Sequence, residues 1–189
     1  MSTAPSTVPA RQTIADLARE PGRAELVGGR IIPLIPTGLR PNVVAGRILR
    51  SLADHADATG RGVALMGNMG YVVPELPSGR ESFSPDVSYY SGPFSYDDMK
   101  FVRGAPTFAV ELRSEGDYGP AAERSIVAKR ADYFAAGTLV VWDVDPKADR
   151  IQAFRPDAPE GPENFARGGM AHARPAVEGW AIEVDRVFP

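Results

Sequence analysis

Three side chains in this sequence have the types and spacing to do chemistry on a phosphate. Asp86 follows Pro85 at the start of an extended run whose faces split into Asp86, Ser88 and Tyr90 against Val87 and Tyr89. Glu111 lies in a second such run, Thr107 to Arg113. Phe108, Val110 and Leu112 share one face of that run; Thr107, Ala109, Glu111 and Arg113 share the other. If the two runs are neighbours in a sheet, the two acids converge. Carboxylates about 4 Å apart repel by roughly 4 kcal/mol at an effective dielectric of 20, so such a pair calls for a proton or a cation. A hard divalent ion, Mg²⁺ or Mn²⁺, suits oxygen ligands. Mg²⁺ takes only one or two protein carboxylates, with water and substrate phosphate completing its shell. The third residue is Lys129. Ile126, Lys129 and Tyr133 fall at spacings of three and four on a helix, one stripe of its surface. If that stripe faces the sheet, the amine leans inward and needs acids as partners; the alternative is that it snorkels past the apolar side chains to water.

The elements that must position these residues are readable in outline. Thr13 to Glu20 has helical spacing and stops at Pro21-Gly22. Ala24 to Val27 and Arg30 to Ile35 flank Gly28-Gly29, a hairpin signal. Asn42 to Ala58 reads as a helix with Val43, Val44, Ile48, Leu49 and Leu52 recurring one turn apart and Arg40, Arg47, Arg50 and Asp54 left for a polar face. Val63 to Met66, Tyr71 to Pro74, Pro85 to Ser91 and Pro106 to Arg113 are strand candidates bounded by Gly, Pro or Ser. Pro120 to Ala136 is a helix with Pro near its start and Gly137 past its end. Thr138 to Val144 is a near-continuous apolar run, the pattern of a strand covered on both faces. Weaker strands are expected at Ile151 to Phe154, Phe165 to Ala173 and Ala181 to Val187. Strand, helix and buried strand in succession make a crossover unit, and the strands before it are free to run antiparallel. The expected fold class is therefore α/β of mixed type: a mixed central β-sheet flanked by helices, with an N-terminal β-hairpin and extra C-terminal strands.

Composition bounds the function. The chain has 189 residues, 24 acids and 21 bases, for a net charge of −3. Residues 1–95 hold 9 bases and 8 acids, and residues 96–189 hold 12 and 16, so no half is a polycation that would coat nucleic acid. There is no cysteine, which excludes disulfide scaffolds, thiolate zinc fingers and cysteine nucleophiles. No apolar run approaches the roughly 18–20 residues that span a bilayer. A cytoplasmic protein is the simplest expectation. Residues 1–10 read as a disordered tail and residues 11–189 as a single domain.

Six segments follow in order: Glu25-Leu26-Val27-Gly28-Gly29-Arg30, Pro36-Thr37-Gly38, Pro85-Asp86-Val87, Val110-Glu111-Leu112-Arg113-Ser114 with Asp117, the stretch Lys129 to Trp142, and Asp145-Pro146. Their order and spacing resemble those of the Uma-two family of restriction-endonuclease-like proteins, in the PD-(D/E)XK nuclease superfamily, which implies that residues 11–189 form a single restriction-endonuclease-like domain. The resemblance implies a core running helix, three strands, helix, strand. It implies Asp86 and Glu111 as metal ligands, Glu25 as a further acid near the site, and Lys129 as a helical lysine standing in for the strand lysine of the E-x-K motif. That strand position holds Arg113. Arginine stays protonated and is no base, but its fork suits a substrate phosphate or a scaffold role. Where relatives carry a His at the start of the long helix, this chain has Arg40-Pro41-Asn42; Gly-Gly replaces Asp-Gly in the hairpin, and Glu115-Gly116 replaces Pro-Ser.

The expected function is a metal-dependent DNA endonuclease, a hydrolase of phosphodiester bonds using Mg²⁺ or Mn²⁺. Asp86, Glu111, Lys129 and Arg113 form the catalytic set, and Arg40, Arg47 and Arg50 are candidate nucleic-acid contacts. A homodimer is expected, because cutting both strands with one site per subunit needs two copies. The alternative is a catalytically inactive member of the fold that binds nucleic acid or a protein partner. A structural homodimer with no site is a third reading.

Overall fold

The computed structural model describes residues 10–189, so the expected tail falls almost wholly outside the described residues. Its centre is a six-stranded sheet in the order β11-β10-β9-β8-β6-β3. These strands are Val63–Met66 (β3), Val87–Tyr90 (β6), Phe108–Leu112 (β8), Val140–Asp145 (β9), Arg150–Arg155 (β10) and Ala158–Ala166 (β11). β8 and β9 are parallel, joined through the helix Pro120–Ala135 (α3), and the other neighbours are antiparallel. This is the expected mixed sheet.

Alternation of side chains divides the sheet into two faces. Val87, Tyr89, Phe108, Val110, Val140, Trp142 and Val144 lie on one face, buried with Val44, Ile48 and Leu52 of the helix Leu39–Thr59 (α2). The C-terminal segment completes this core with Trp180, Ile182 and Val187. Phe108 meets Trp142 edge-on at 5.1 Å, and Trp142 lies 5.2 Å from Trp180. On the other face Tyr90, Ala109 and Val141 pack with Tyr133 of α3, and with Tyr71 and Phe83. Glu111 alternates with Val110 and Leu112, so it belongs to this second face, under α3.

The hairpin Ala24–Val27 (β1) and Arg30–Pro33 (β2) turns on Gly28 and Gly29, with φ of 59° and 67°. A two-residue turn with both φ positive matches the twist of the flanking strands, and glycine adopts it without a Cβ penalty. β1 is then tied to the segment after Gly79: the Leu26 amide donates to Ser82 Oγ at 2.7 Å, and the Glu81 amide to Leu26 O at 2.9 Å. That junction carries Glu25 toward the centre of the molecule.

Several expectations need correction. The segment Thr13 to Glu20 is helical only over Ile14–Leu17 (α1), closed by a capping box between Thr13 and Asp16. Two-residue strands at Ser82–Phe83 (β5) and Val102–Arg103 (β7) flank Tyr71–Val72 (β4) in a small separate sheet. The expected strand Phe165 to Ala173 is broken at Gly168, where φ is 81°, into the end of β11 and Met170–His172 (β12). Ala181 to Val187 is a three-residue strand, Ala181–Glu183 (β13), followed by one helical turn, Val184–Val187 (α4). Among the described residues no helix is long and apolar enough to cross a membrane.

Trp142 is fully buried between Phe108 and Trp180. Trp142→Ala should lower unfolding free energy by about 3–5 kcal/mol in urea titrations, whereas the 82% exposed Tyr96 should tolerate alanine within about 0.5 kcal/mol.

Candidate functional site

Lys129 reaches the centre of the site from α3. Its Nζ lies 2.9 Å from both carboxylate oxygens of Glu111 and 3.0 Å from Glu25 Oε1. The inward-leaning alternative is thus the one adopted, with the side chain 19% exposed. Tyr133, one turn further on, donates its hydroxyl to Glu111 Oε1 at 2.6 Å. Helix geometry explains the pair: residues four apart project to one face, and both meet the single acid on the strand beneath.

Asp86 approaches from the start of β6. Its amide donates to Val110 O at 3.0 Å, and its Oδ2 accepts from the Leu112 amide at 2.8 Å. Asp86 therefore binds the backbone on both sides of Glu111. Asp86 Oδ1 pairs with Arg23 Nη1 at 2.8 Å, and Arg23 also grips Ser84 through Oγ and the carbonyl oxygen. Glu25 is the most enclosed of the acids, 4% exposed. Its Oε1 accepts from the Ser84 amide at 2.9 Å, and its Oε2 from Arg80 Nη1 at 2.5 Å. Arg80 bridges on to Asp132 through Nε at 2.9 Å, with its guanidinium over the ring of Phe83.

The electrostatics separate the acids. Burial pushes Glu25 up, but Lys129, Arg80 and the Ser84 amide together outweigh it and hold its pKa below the ordinary value. For Glu111 burial wins. Lys129 opposes it, but Asp86 and Glu25 add repulsion, and the pKa is raised. Burial alone would depress the Lys129 amine; Glu111 and Glu25 reverse that and keep it charged. Burial and the adjacent Glu111 push the Tyr133 phenol well up, so it acts as a donor.

Four carboxylates (Glu25, Asp86, Glu111, Asp132) thus meet three cations (Arg23, Arg80, Lys129), leaving one negative charge. Each carboxylate has about four lone-pair positions, so the two contacts on Asp86 leave capacity for a further ligand. Among the described residues no three His, Cys, Asp or Glu gather at metal-binding spacing. Asp86 and Glu111, in a cluster with one surplus negative charge, fit an ion that needs only one or two carboxylates.

Arg113 is placed differently. Its guanidinium grips Asp143 at 2.8 and 2.7 Å and also binds Glu123, an ion-pair set that ties β8 to β9 and α3. Of the helix arginines, Arg40 pairs with Asp149 at 2.7 Å, whereas Arg47 and Arg50 form no ion pair among the described residues. None of the three lines the cleft of about 330 Å³ that opens beside Asp86 between α2 and the turn after β3.

The sequence does not single out Arg23, Arg80 or Asp132. Each meets its partner across about 50 residues or more of chain, so no local spacing announces the pair. The alternation of Arg80, Ser82 and Ser84 along an extended segment was the one available signal.

Residues 11–185 match the Uma2 family, described as "Putative restriction endonuclease". The crystal structure of a "putative nuclease belonging to DUF820" from Anabaena variabilis ATCC 29413 superposes with a TM-score of 0.74 at 15% identity, over 93% of this chain and 97% of that one. That likeness shows a shared fold. No curated protein matches. With the family match running through the β1 acid, both sheet acids and the α3 amine, this chain belongs to the Uma2 family of restriction-endonuclease-like proteins.

Proposed function

We propose that this protein is a divalent-metal-dependent endonuclease that hydrolyses DNA phosphodiesters. The observation that carries the reading is the Lys129 amine held by Glu111 and Glu25, with Asp86 bound to the backbone either side of Glu111. Asp86 and Glu111 would hold Mg²⁺ or Mn²⁺. When bound, the ion supplies Lewis-acid polarisation of a phosphate oxygen and lowers the pKa of water.

The chain's own residues do the rest. Lys129 stays protonated, so it donates hydrogen bonds to the attacking water or to the oxygens that gain charge in the transition state. Tyr133 holds Glu111 by one oxygen and keeps it oriented. Glu25, fixed by Arg80 and the Ser84 amide, positions the amine without itself reaching substrate. Arg113 serves the scaffold, since its fork is filled by Asp143 and Glu123. Arg47 and Arg50 contact phosphates of the flanking DNA; Arg40 contributes less, being paired with Asp149. The working unit is a homodimer, one active site for each strand.

A second reading, a nuclease-fold protein that binds DNA without cutting it, draws on the ion pair between Asp86 and Arg23 and on the engagement of Arg113. Plasmid nicking in Mg²⁺ or Mn²⁺ separates the two. The wild type should nick, and Asp86→Ala, Glu111→Ala and Lys129→Ala should each lose at least about 100-fold. No cleavage by wild type, or equal cleavage by all three variants, removes the assignment.

The opposed shifts of the two glutamates give opposite stability effects. Glu25 has a lowered folded pKa, so it stabilises the fold above the unfolded value and loses that contribution as pH falls through the folded one. Glu111 has a raised folded pKa, so its ionisation costs stability above that value. Without metal at pH 7–8, Glu111→Gln should melt above wild type, the gap closing as pH falls through the raised folded pKa and gone below about 4. Glu25→Gln should melt below wild type at pH 7–8. Added Mg²⁺ at about 100 times its Kd should stabilise wild type by about 2.7 kcal/mol and the Glu111→Gln variant far less. In DNA binding, Arg47→Ala combined with Arg50→Ala should reduce the slope of log affinity against log salt by about two.

A further inference from the structure

The cleft beside Asp86 is not accounted for by phosphate hydrolysis alone. Its walls come from the start of α2, the turn Met66 to Asn68, and the ends of β6 and β8. A volume of about 330 Å³ lies at the small end of the roughly 300–1,000 Å³ range of ligand pockets, suited to one nucleoside-sized group. Of its polar side chains, Arg23 and Asp86 bind each other, and Thr37 bonds Ser114 Oγ at 2.7 Å. The amides of Asn42 and Asn68 have no partner among the described residues, and both are exposed. Leu49 and the 62% exposed Met66 provide apolar contact. Each Asn side chain carries both donors and an acceptor, which suits the mixed edge of a base.

Resting on the nuclease reading, we infer that this cleft takes the unstacked base next to the scissile phosphate, so that the preferred substrate is single-stranded or locally unpaired DNA. Asp86 is both a wall of the cleft and one of the two acids assigned to the metal, which puts the base one nucleotide's reach from the reacting phosphate. Apolar side chains cover the faces of the base, and Asn42 and Asn68 bind its edge. Enzymes that act on an extruded base recognise it by the same division of labour. A base held in a duplex cannot enter without unpairing, which costs a few kcal/mol and creates the preference.

Gly46 offers a clean test. It lies on the cleft wall in α2, and a Cβ placed there meets nothing within 4 Å. Gly46→Leu should therefore fold, fill the cleft and leave Asp86, Glu111 and Lys129 in place. Binding is measured without divalent metal, by anisotropy of a labelled single-stranded oligonucleotide and of the matching duplex. A 2-aminopurine in the single strand reports unstacking by its fluorescence. Wild type should bind the single strand at least about 10-fold more tightly than the duplex. The 2-aminopurine signal should rise on binding. Gly46→Leu should reduce the preference to less than about 2-fold and abolish the rise, with duplex affinity retained; Asn42→Ala with Asn68→Ala should weaken single-strand binding alone. Equal affinity of wild type for both forms, an unchanged preference in Gly46→Leu, or no DNA binding at all would overturn the inference. Because no metal is present, a protein that prefers unpaired DNA but never cleaves it sinks the nuclease reading and leaves the cleft assignment standing.

Discussion

A charged amine enclosed under α3 between two acids is the interaction on which the rest of this structure depends. Burying an unpaired ammonium costs several kcal/mol, and breaking a buried pair by removing one partner costs about 3–5 kcal/mol. Lys129 is therefore stable only with an ionised acid beside it, and Glu25 is the partner it cannot lose. The two acids come from separate parts of the chain. Glu25 is delivered by the hairpin and its junction with the segment after Gly79; Glu111 is delivered by the strand that starts the parallel crossover. Folding the crossover places α3 over β8, and the same step brings the amine to its acids.

The site is arranged so that each acid has a different charge behaviour. Glu25 is surrounded by cations and an amide and stays ionised as a fixed anchor. Glu111 is ionised at a cost, because burial and two neighbouring acids oppose it. On the proposed reading, an acid held in that condition would gain from a divalent cation, whereas Glu25 has little left to offer one. Arg113, next on the same face as Glu111 just past the end of β8, is held by other acids. With its fork filled by Asp143 and Glu123, the strand position joins β8, β9 and α3, and the charged donor arrives from above.

How much of this was legible in the sequence follows from the range of each signal. The hairpin showed itself through two adjacent glycines, α2 and α3 through their helical spacing and Gly stops, and β9 through an unbroken apolar run. Those signals are local and strong. β5 and β7 are two residues long, too short for alternation to be seen. At residues 181–187 the inward side chains Ile182, Val184 and Val187 fit alternation at first and a helical turn after it, so one pattern masked the change of element. In the site, Glu111 stands out because an acid in an apolar strand needs a reason, and Asp86, which opens a strand after proline, gains meaning only beside it. Arg23, Arg80 and Asp132 do not stand out, since an arginine or aspartate in a polar segment looks ordinary until its distant partner is brought beside it.

The most direct measurement is a crystal soaked in Mn²⁺ and its anomalous scattering. The account predicts that Asp86 and Glu111 would both hold the ion, with Lys129 still on Glu25. Manganese bound elsewhere, or to one acid alone while the other keeps its present partners, would contradict it.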